Sequence, residues 1–131
     1  MGKSLFPVFN RKIKTDFIHG VAIAGSLDAL DRIAKRAGVK PLADFLSLSF
    51  GELSEFIDDP EEAKAAYKRR PEKWFAASSG LTTMRALIRH LEEKPRTVPD
   101  SEAVIEDLRS FQSALQLAKK AGVRWHLSGE S

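Results

Sequence analysis

The sequence predicts a single α+β domain, mainly helical, in which four to six helices pack on a small sheet formed by the N- and C-terminal strands. The chain has 131 residues, 43% hydrophobic and 30% charged, which fits one folded domain over residues 1–131. Apolar residues recur at helical spacing through the middle of the chain. Short apolar or alternating segments lie near both ends, where they predict strands.

The two predicted strands are SLFPVF at 4–9 and VRWHLS at 123–128. Pro7 has no N–H to donate, so the first strand should lie at a sheet edge or carry a bulge. The second strand alternates, with Trp125 on one face and His126 on the other, as in a half-buried strand. Because an isolated strand is not stable, we expect the two to pair.

The predicted helices have clear start signals. Ser26 is placed to cap one helix, Ser49 and Glu52 have the spacing of a capping box, and Asp59 precedes a proline at the first helical position. The segment 16–26 fits either a short helical turn or an irregular buried connection. The other predicted helices cover about 26–37, one or two short helices within 41–57, then 59–70, 81–94 and 101–121.

Two octapeptides match in residue class at every position: IAKRAGVK at 33–40 and LAKKAGVR at 117–124. Each has two cations in the last turn of a predicted helix, followed by Gly38 or Gly122, where the chain can turn left-handed. The likeness does not extend beyond the octapeptides. They are therefore interpreted as two helix ends and not as a duplicated unit.

Several chemistries lack their sequence signatures. The chain has no cysteine, its histidines do not have metal-ligand spacing, and there is no Gly-x-Ser-x-Gly motif. The segment GVAIAGS at 20–26 has the glycine spacing of a phosphate-binding loop but lacks the lysine. We therefore predict no catalytic residue, no metal ligand and no cofactor, and we favour a protein that is not an enzyme.

The location predicted from the sequence is cytoplasmic. No stretch reaches the roughly 20 apolar residues needed to cross a membrane, and the first residues do not have the pattern of a secretory signal.

Six residues are candidates for binding. Arg85 and Arg89 flank the apolar stripe of the 81–94 helix and could jointly hold a carboxylate or phosphate. His90 and His126 could line a cleft if their faces are not solvent-exposed. The full candidate set is Trp74, Arg85, Arg89, His90, Trp125 and His126.

Two basic segments, 11–14 and 68–74, raise a nucleic-acid alternative. The second places Trp74 beside several cations, and an aromatic ring with phosphate-binding cations is typical of single-strand binding. The net charge is only +3, and the cations are dispersed among 18 acidic residues. This makes a nucleic-acid partner less favoured than a protein partner.

Four segments carry a resemblance: SLFPVF, GVKPLADFLS, WFAASSGLTTMRALIRHLE and DLRSFQSALQLAKKAGVRWHLS. They are similar to a family of small uncharacterised bacterial proteins, whose members open with a Ser-Leu-aromatic-Pro strand and close with a Gly-Val-Arg turn and an aromatic-His-Leu strand. The likeness spans most of the chain. It implies a bacterial cytoplasmic protein and transfers no catalytic or binding residue.

Three classes of function stay open. The first is a non-enzymatic interaction or regulatory protein with a protein partner, such as an immunity-type inhibitor. The second is a nucleic-acid-associated protein that uses the two basic segments. The third is a small-ligand binder or enzyme with a pocket near His90 and His126, between the sheet and the 81–94 helix.

Overall fold

The two end strands form an antiparallel pair. In the computed structural model, which describes residues 4–130 except for the side chains of Phe50, Phe56 and Glu130, β1 (Ser4–Phe9) pairs with β2 (Trp125–Glu130). The register runs from Ser4 opposite Glu130 to Phe9 opposite Trp125. The prediction that the two end segments pair is therefore confirmed.

The helices lie between the two strands in the sequence. The described residues contain six α-helices and two short 3₁₀ turns, so the predicted fold class, a mainly helical α+β domain, is confirmed. The α-helices are α1 (Val21–Gly25), α2 (Leu27–Ala37), α3 (Phe50–Phe56), α4 (Pro60–Arg69), α5 (Ala77–Glu93) and α6 (Ser101–Ala121), and the 3₁₀ turns are Leu42–Phe45 and Pro95–Thr97.

Pro7 lies on the outer edge of β1. The N–H and C=O groups of Leu5 bond to Gly20, on the side away from β2. Backbone groups two residues apart on a strand point the same way, so the missing N–H of Pro7 also faces away from β2. The predicted edge position is confirmed, and the segment that leads into α1 runs beside it.

Trp125 lies at the centre of the core. Its side chain is fully buried, and the indole packs against Phe45, with 4.8 Å between ring centroids. Gly80 of α5 and Leu115 of α6 meet the same region of the indole. Helices α5 and α6 therefore cover the face of the sheet that carries Trp125.

The opposite face of β2 is buried as well, so the predicted half-buried strand is wrong. His126 and Ser128 are both 0% exposed. Glu52 of α3 bonds to Ser128, and Glu72, from the connection between α4 and α5, bonds to His126. Segments distant in sequence thus cover the face that alternation alone assigned to solvent.

Most helix ends follow the predicted chemistry. Ser49 and Glu52 form the capping box, and the Asp59 side chain accepts from the N–H of Glu61. Gly38 and Gly122 have φ of +75° and +68° and end α2 and α6, as predicted. In both cases the next valine donates back into the last turn, which completes a Schellman motif.

Two details of the helix starts differ from the prediction. The Ser26 side chain makes no capping bond, because Ser26 joins α1 directly to α2 with φ −121° and ψ 19°, outside the extended region typical of a cap. Helix α5 begins at Ala77, ahead of the predicted start at 81, and so includes Gly80.

Candidate functional site

The candidate residues on α5 lie apart from His126. Arg85 is exposed, and Arg89 forms an exposed ion pair with Glu93 at 3.4 Å. His90 is half-buried, with its Nε2 atom 3.3 Å from the hydroxyl of Thr97. Because α5 packs on the Trp125 face of the sheet, His90 and His126 lie on opposite sides of β2.

Trp125 is held in the core by hydrogen bonds as well as by the packing of its rings. Its indole N–H donates to the carbonyl of Ala76 at 3.2 Å, and its backbone exchanges two hydrogen bonds with Phe75. These contacts fix the start of α5 against β2. A fully buried indole offers no surface to a ligand.

His126 forms the centre of a buried polar cluster. Its Nε2 lies 2.7 Å from Oε2 of Glu72, and its Nδ1 lies 3.0 Å from the carbonyl oxygen of Leu127. The Trp74 ring covers the imidazole, with 4.6 Å between centroids. Both ring nitrogens therefore face oxygen atoms, one from a carboxyl group and one from a backbone carbonyl.

Glu52 is the second carboxylate of the cluster. Its Oε2 accepts from the Ser128 hydroxyl at 2.6 Å, and its Oε1 accepts from the backbone N–H of Ser49 at 3.2 Å. Burial by itself raises the pKa of Glu52, but the hydrogen bonds from Ser128 and Ser49 and the charge of His126 together lower that pKa below its usual value. Glu52 is therefore held as a carboxylate.

The same cluster fastens the connection between α4 and α5 to the sheet. We call residues 71–75 the wall segment. Glu72 bonds to His126, the N–H of Lys73 donates to the Ser47 hydroxyl at 2.8 Å, and Phe75 pairs with Trp125. Three attachments within a few residues fix where the wall segment lies.

A groove of about 1210 Å³ opens on the outer side of the wall segment. Part of its lining is apolar, including Leu48, Leu53 and Leu46, which is 41% exposed. The charged residues that line it are Lys40, Arg69, Arg70 and Lys73, with Asp44 as the acidic member. We call this feature the basic groove.

Lys40 is positioned in the basic groove by two aromatic rings. Its ammonium lies 4.4 Å from the ring centroid of Phe75 and 5.4 Å from that of Phe45. Both distances are within the range of cation–π attraction. The contact limits where the ammonium can move, so less side-chain freedom is lost when it meets an anion.

The two basic segments found in the sequence are used differently. Arg69, Arg70 and Lys73, all within 68–74, line the basic groove. Trp74 turns inward onto His126 instead. In the 11–14 segment, Arg11 donates to the carbonyl of Ala121 at 2.8 Å, at the end of α6. That segment follows β1, whereas the basic groove borders the other edge of β2.

Sequence reasoning missed part of this site. The sequence indicates the cations of 68–74, but it singles out neither Glu72 nor Lys40, which is the last residue of the first octapeptide. Glu72 and His126 are 54 positions apart. A glutamate beside a proline and a lysine carries no sequence signal for a buried histidine partner.

Comparisons with family models, curated proteins and solved structures find no match for this chain. The similarity to a family of small bacterial proteins therefore stays a prediction. Within residues 4–130, no grouping of three or more histidine and carboxylate side chains is arranged to hold a metal ion. None of the helices in the described part combines the length and apolar character needed to span a bilayer.

Proposed function

We propose that this is a non-enzymatic interaction protein that binds an acidic polypeptide segment of a protein partner in the basic groove. The observation that carries the proposal is the charge of the groove. Lys40, Arg69, Arg70 and Lys73 line it, with Asp44 as the acidic residue facing them. A concave surface with one dominant sign of charge attracts and orients a partner of the opposite sign.

The groove cations are available to a partner. All four are exposed, and among the described residues none of them takes part in an ion pair. Elsewhere on the surface, Arg89 and Arg109 are paired with glutamates of their own or a neighbouring helix. The basic groove thus brings together four cations without an ion-pair partner in the described part of the chain.

The apolar lining favours a polypeptide over a nucleic acid. Leu46, Leu48 and Leu53 suit aliphatic side chains spaced between carboxylates. Stacking of bases would need open aromatic faces, but Trp74 packs on His126 and Lys40 lies over Phe75.

The buried histidine supports a binding role over a catalytic one. His126 has a carboxylate partner of the kind found in acid–base catalysis, but its side chain is 0% exposed. A general acid or base must come within hydrogen-bond reach of the substrate. His126 instead contacts the residues that hold the wall segment in place.

The test is the affinity of a fluorescein-labelled peptide of alternating Glu and Leu, measured by anisotropy. The variant Arg69→Gln/Arg70→Gln removes two groove charges from the end of α4. Lys119→Gln/Lys120→Gln is the matched control, because it removes two exposed charges from the end of α6, outside the groove lining. We expect the groove variant to weaken binding by about tenfold or more, equal to roughly 1.4 kcal/mol, and the control by less than about twofold.

Two results would contradict the proposal. One is an equal loss of affinity in the groove variant and in the control, which would indicate non-specific attraction to net positive charge. The other is tighter binding of a single-stranded oligonucleotide of the same charge, which would favour the nucleic-acid alternative. Circular dichroism of both variants checks that the helices are retained.

A further inference from the structure

We infer that binding in the basic groove is linked to a proton on His126, so that the groove is formed when the imidazole is protonated and is weakened when the proton is lost. The part of this inference that concerns affinity rests on the proposed function. The part that concerns the position of the wall segment does not, because it follows from the contacts of His126 alone.

The geometry around the ring requires both protons. In the protonated ring, Nε2 donates to Glu72 at 2.7 Å and Nδ1 donates to the carbonyl of Leu127 at 3.0 Å. A neutral imidazole carries one N–H, so the lone pair of its other nitrogen would face an oxygen that can only accept. In a buried site, that unmatched contact is not relieved by water. Loss of the proton therefore removes one of the two bonds and replaces attraction by repulsion.

Among the described residues, the charged groups that the hydrogen bonds place around His126 are two carboxylates. Glu72 approaches from the wall segment, and Glu52 approaches from α3 through Ser128. On β1, the residue opposite His126 is the uncharged Val8, and the ring itself is covered by Trp74. Protonated His126 is thus the cation between two half-buried acids, and its neutral form leaves Glu72 without this counter-charge.

The wall segment transmits this change to the groove. Glu72 stands between Pro71 and Lys73, and both of these residues line the basic groove. When the bond from His126 to Glu72 weakens, the wall segment keeps its hydrogen bonds through Lys73 and Phe75 but loses the one nearest Arg70. The cations of Arg70 and Lys73 then lose their fixed positions, and an acidic segment binds less tightly.

The pH range of the experiment separates the loss of the His126 proton from the titration of the peptide carboxylates and of the groove cations. Above about pH 6 the carboxylates of an acidic peptide are already ionised, and lysines and arginines stay charged to about pH 9 and beyond. Histidine is the side chain whose charge ordinarily changes between about pH 5 and 8. Affinity for the peptide should therefore fall as the pH rises, by up to about tenfold per pH unit for one linked proton.

The experiment compares peptide affinity at about pH 6 and pH 8.5 in three proteins, a range over which histidine normally loses its charge. We expect wild type to lose affinity by at least about threefold, and His90→Gln to behave as wild type, because His90 lies on the other side of the sheet. In Glu72→Gln the amide can accept from or donate to the ring, so its affinity should be nearly independent of pH. Equal affinities at the two pH values in wild type, or an unchanged pH dependence in Glu72→Gln, would overturn the inference.

A second measurement is made without any peptide. The ¹⁵N chemical shifts of the His126 ring report whether both nitrogens carry protons, and the backbone amide shifts of Lys73 and Phe75 report the wall segment. We expect a doubly protonated ring at the lower pH, and amide shifts that move with the same midpoint as the ring. A neutral ring throughout, or amides that ignore its titration, would refute the linkage. Failure of the peptide to bind at any pH would instead refute the proposed function.

Discussion

The indole of Trp125 fills the space in which a side chain at position 80 would stand. A Cβ added to Gly80 would lie 2.7 Å from Cε2 of Trp125 and 2.9 Å from Cδ1 of Leu115. Both distances are shorter than real Cβ contacts, and all three residues are buried. The close packing of α5 on β2 therefore depends on a residue without a side chain.

We predict that Gly80→Ala destabilises the fold by about 1–3 kcal/mol, measured by urea unfolding, because the indole must shift within a dense core. Alanine favours a helix over glycine by about 1 kcal/mol, which offsets only part of this loss. The control is Gly25→Ala in α1, where nothing lies within 4 Å of the added Cβ. Its free energy of unfolding should stay unchanged or rise, and an equal loss in both variants would contradict the prediction.

Two aspartates accept hydrogen bonds from the first turn of a short helical segment to which they do not belong. They differ in whether one or both carboxylate oxygens accept these bonds. Oδ2 of Asp107 accepts from the N–H groups of both Ala22 and Ile23. Asp31 uses Oδ1 for Leu42 and Oδ2 for Ala43. In both cases burial raises the pKa of the carboxyl despite the hydrogen bonds from the backbone.

This difference predicts unequal effects of the same substitution. Asp107→Asn keeps one oxygen that can accept both N–H groups, so it should change stability by less than about 0.5 kcal/mol. Asp31→Asn must place its amide nitrogen against a backbone N–H, which should cost about 1–2 kcal/mol. Thermal unfolding of the two variants compares them directly, and the opposite ranking would contradict the assignment of the oxygens.

Ser49 and Ser26 both precede helices, but only Ser49 makes a side-chain cap. We expect Ser49→Ala to lower the free energy of unfolding by about 1 kcal/mol, which is typical of a lost N-cap. Ser26→Ala removes no capping bond and should have a smaller effect. Chemical unfolding of both variants tests this, and an equal loss would show that position, not the bond, determines the effect.

Glu52 predicts a pH dependence with a defined sign. Because the pKa of Glu52 is lower in the folded protein, its charge stabilises the fold above its unfolded pKa, and this contribution is lost as the pH falls. Glu52→Gln keeps a side chain that suits a capping box but removes the charge. The stability of wild type relative to this variant should therefore fall between about pH 6 and pH 3, as measured by urea unfolding. A constant difference would contradict the role of the carboxylate.

The raised pKa values of Asp31 and Asp107 act in the other direction. A carboxyl with a higher pKa in the folded state binds its proton more readily there, so acidification favours the fold at these two positions. The comparison with Glu52→Gln isolates one carboxylate from these opposing contributions.

The helix caps and helix ends of this fold could be predicted from the sequence. The capping box at Ser49, the cap at Asp59 and the glycines at 38 and 122 each depend on neighbours within a turn, so residue types and spacing were enough to locate them. The pairing of the end strands also followed from the sequence, because each needed a partner.

The candidate site depends on contacts that spacing does not encode. Alternation in 123–128 identified two faces of β2, but the burial of His126 depends on Glu72 and Trp74, far away in the chain. The basic groove likewise joins Lys40 to Arg69 and Arg70 only after folding. The binding role that the sequence suggests for the cations of 68–74 stays a prediction.

The pairing of Ser4 with Glu130 affects the order of events during synthesis. A ribosome releases β1 and the six helices of residues 4–130 before it releases β2, whose Trp125 and Leu127 complete the core. Until then, the apolar faces of α5 and α6 have no indole between them, and β1 has no partner strand. We therefore expect the growing chain to stay only partly folded until β2 emerges.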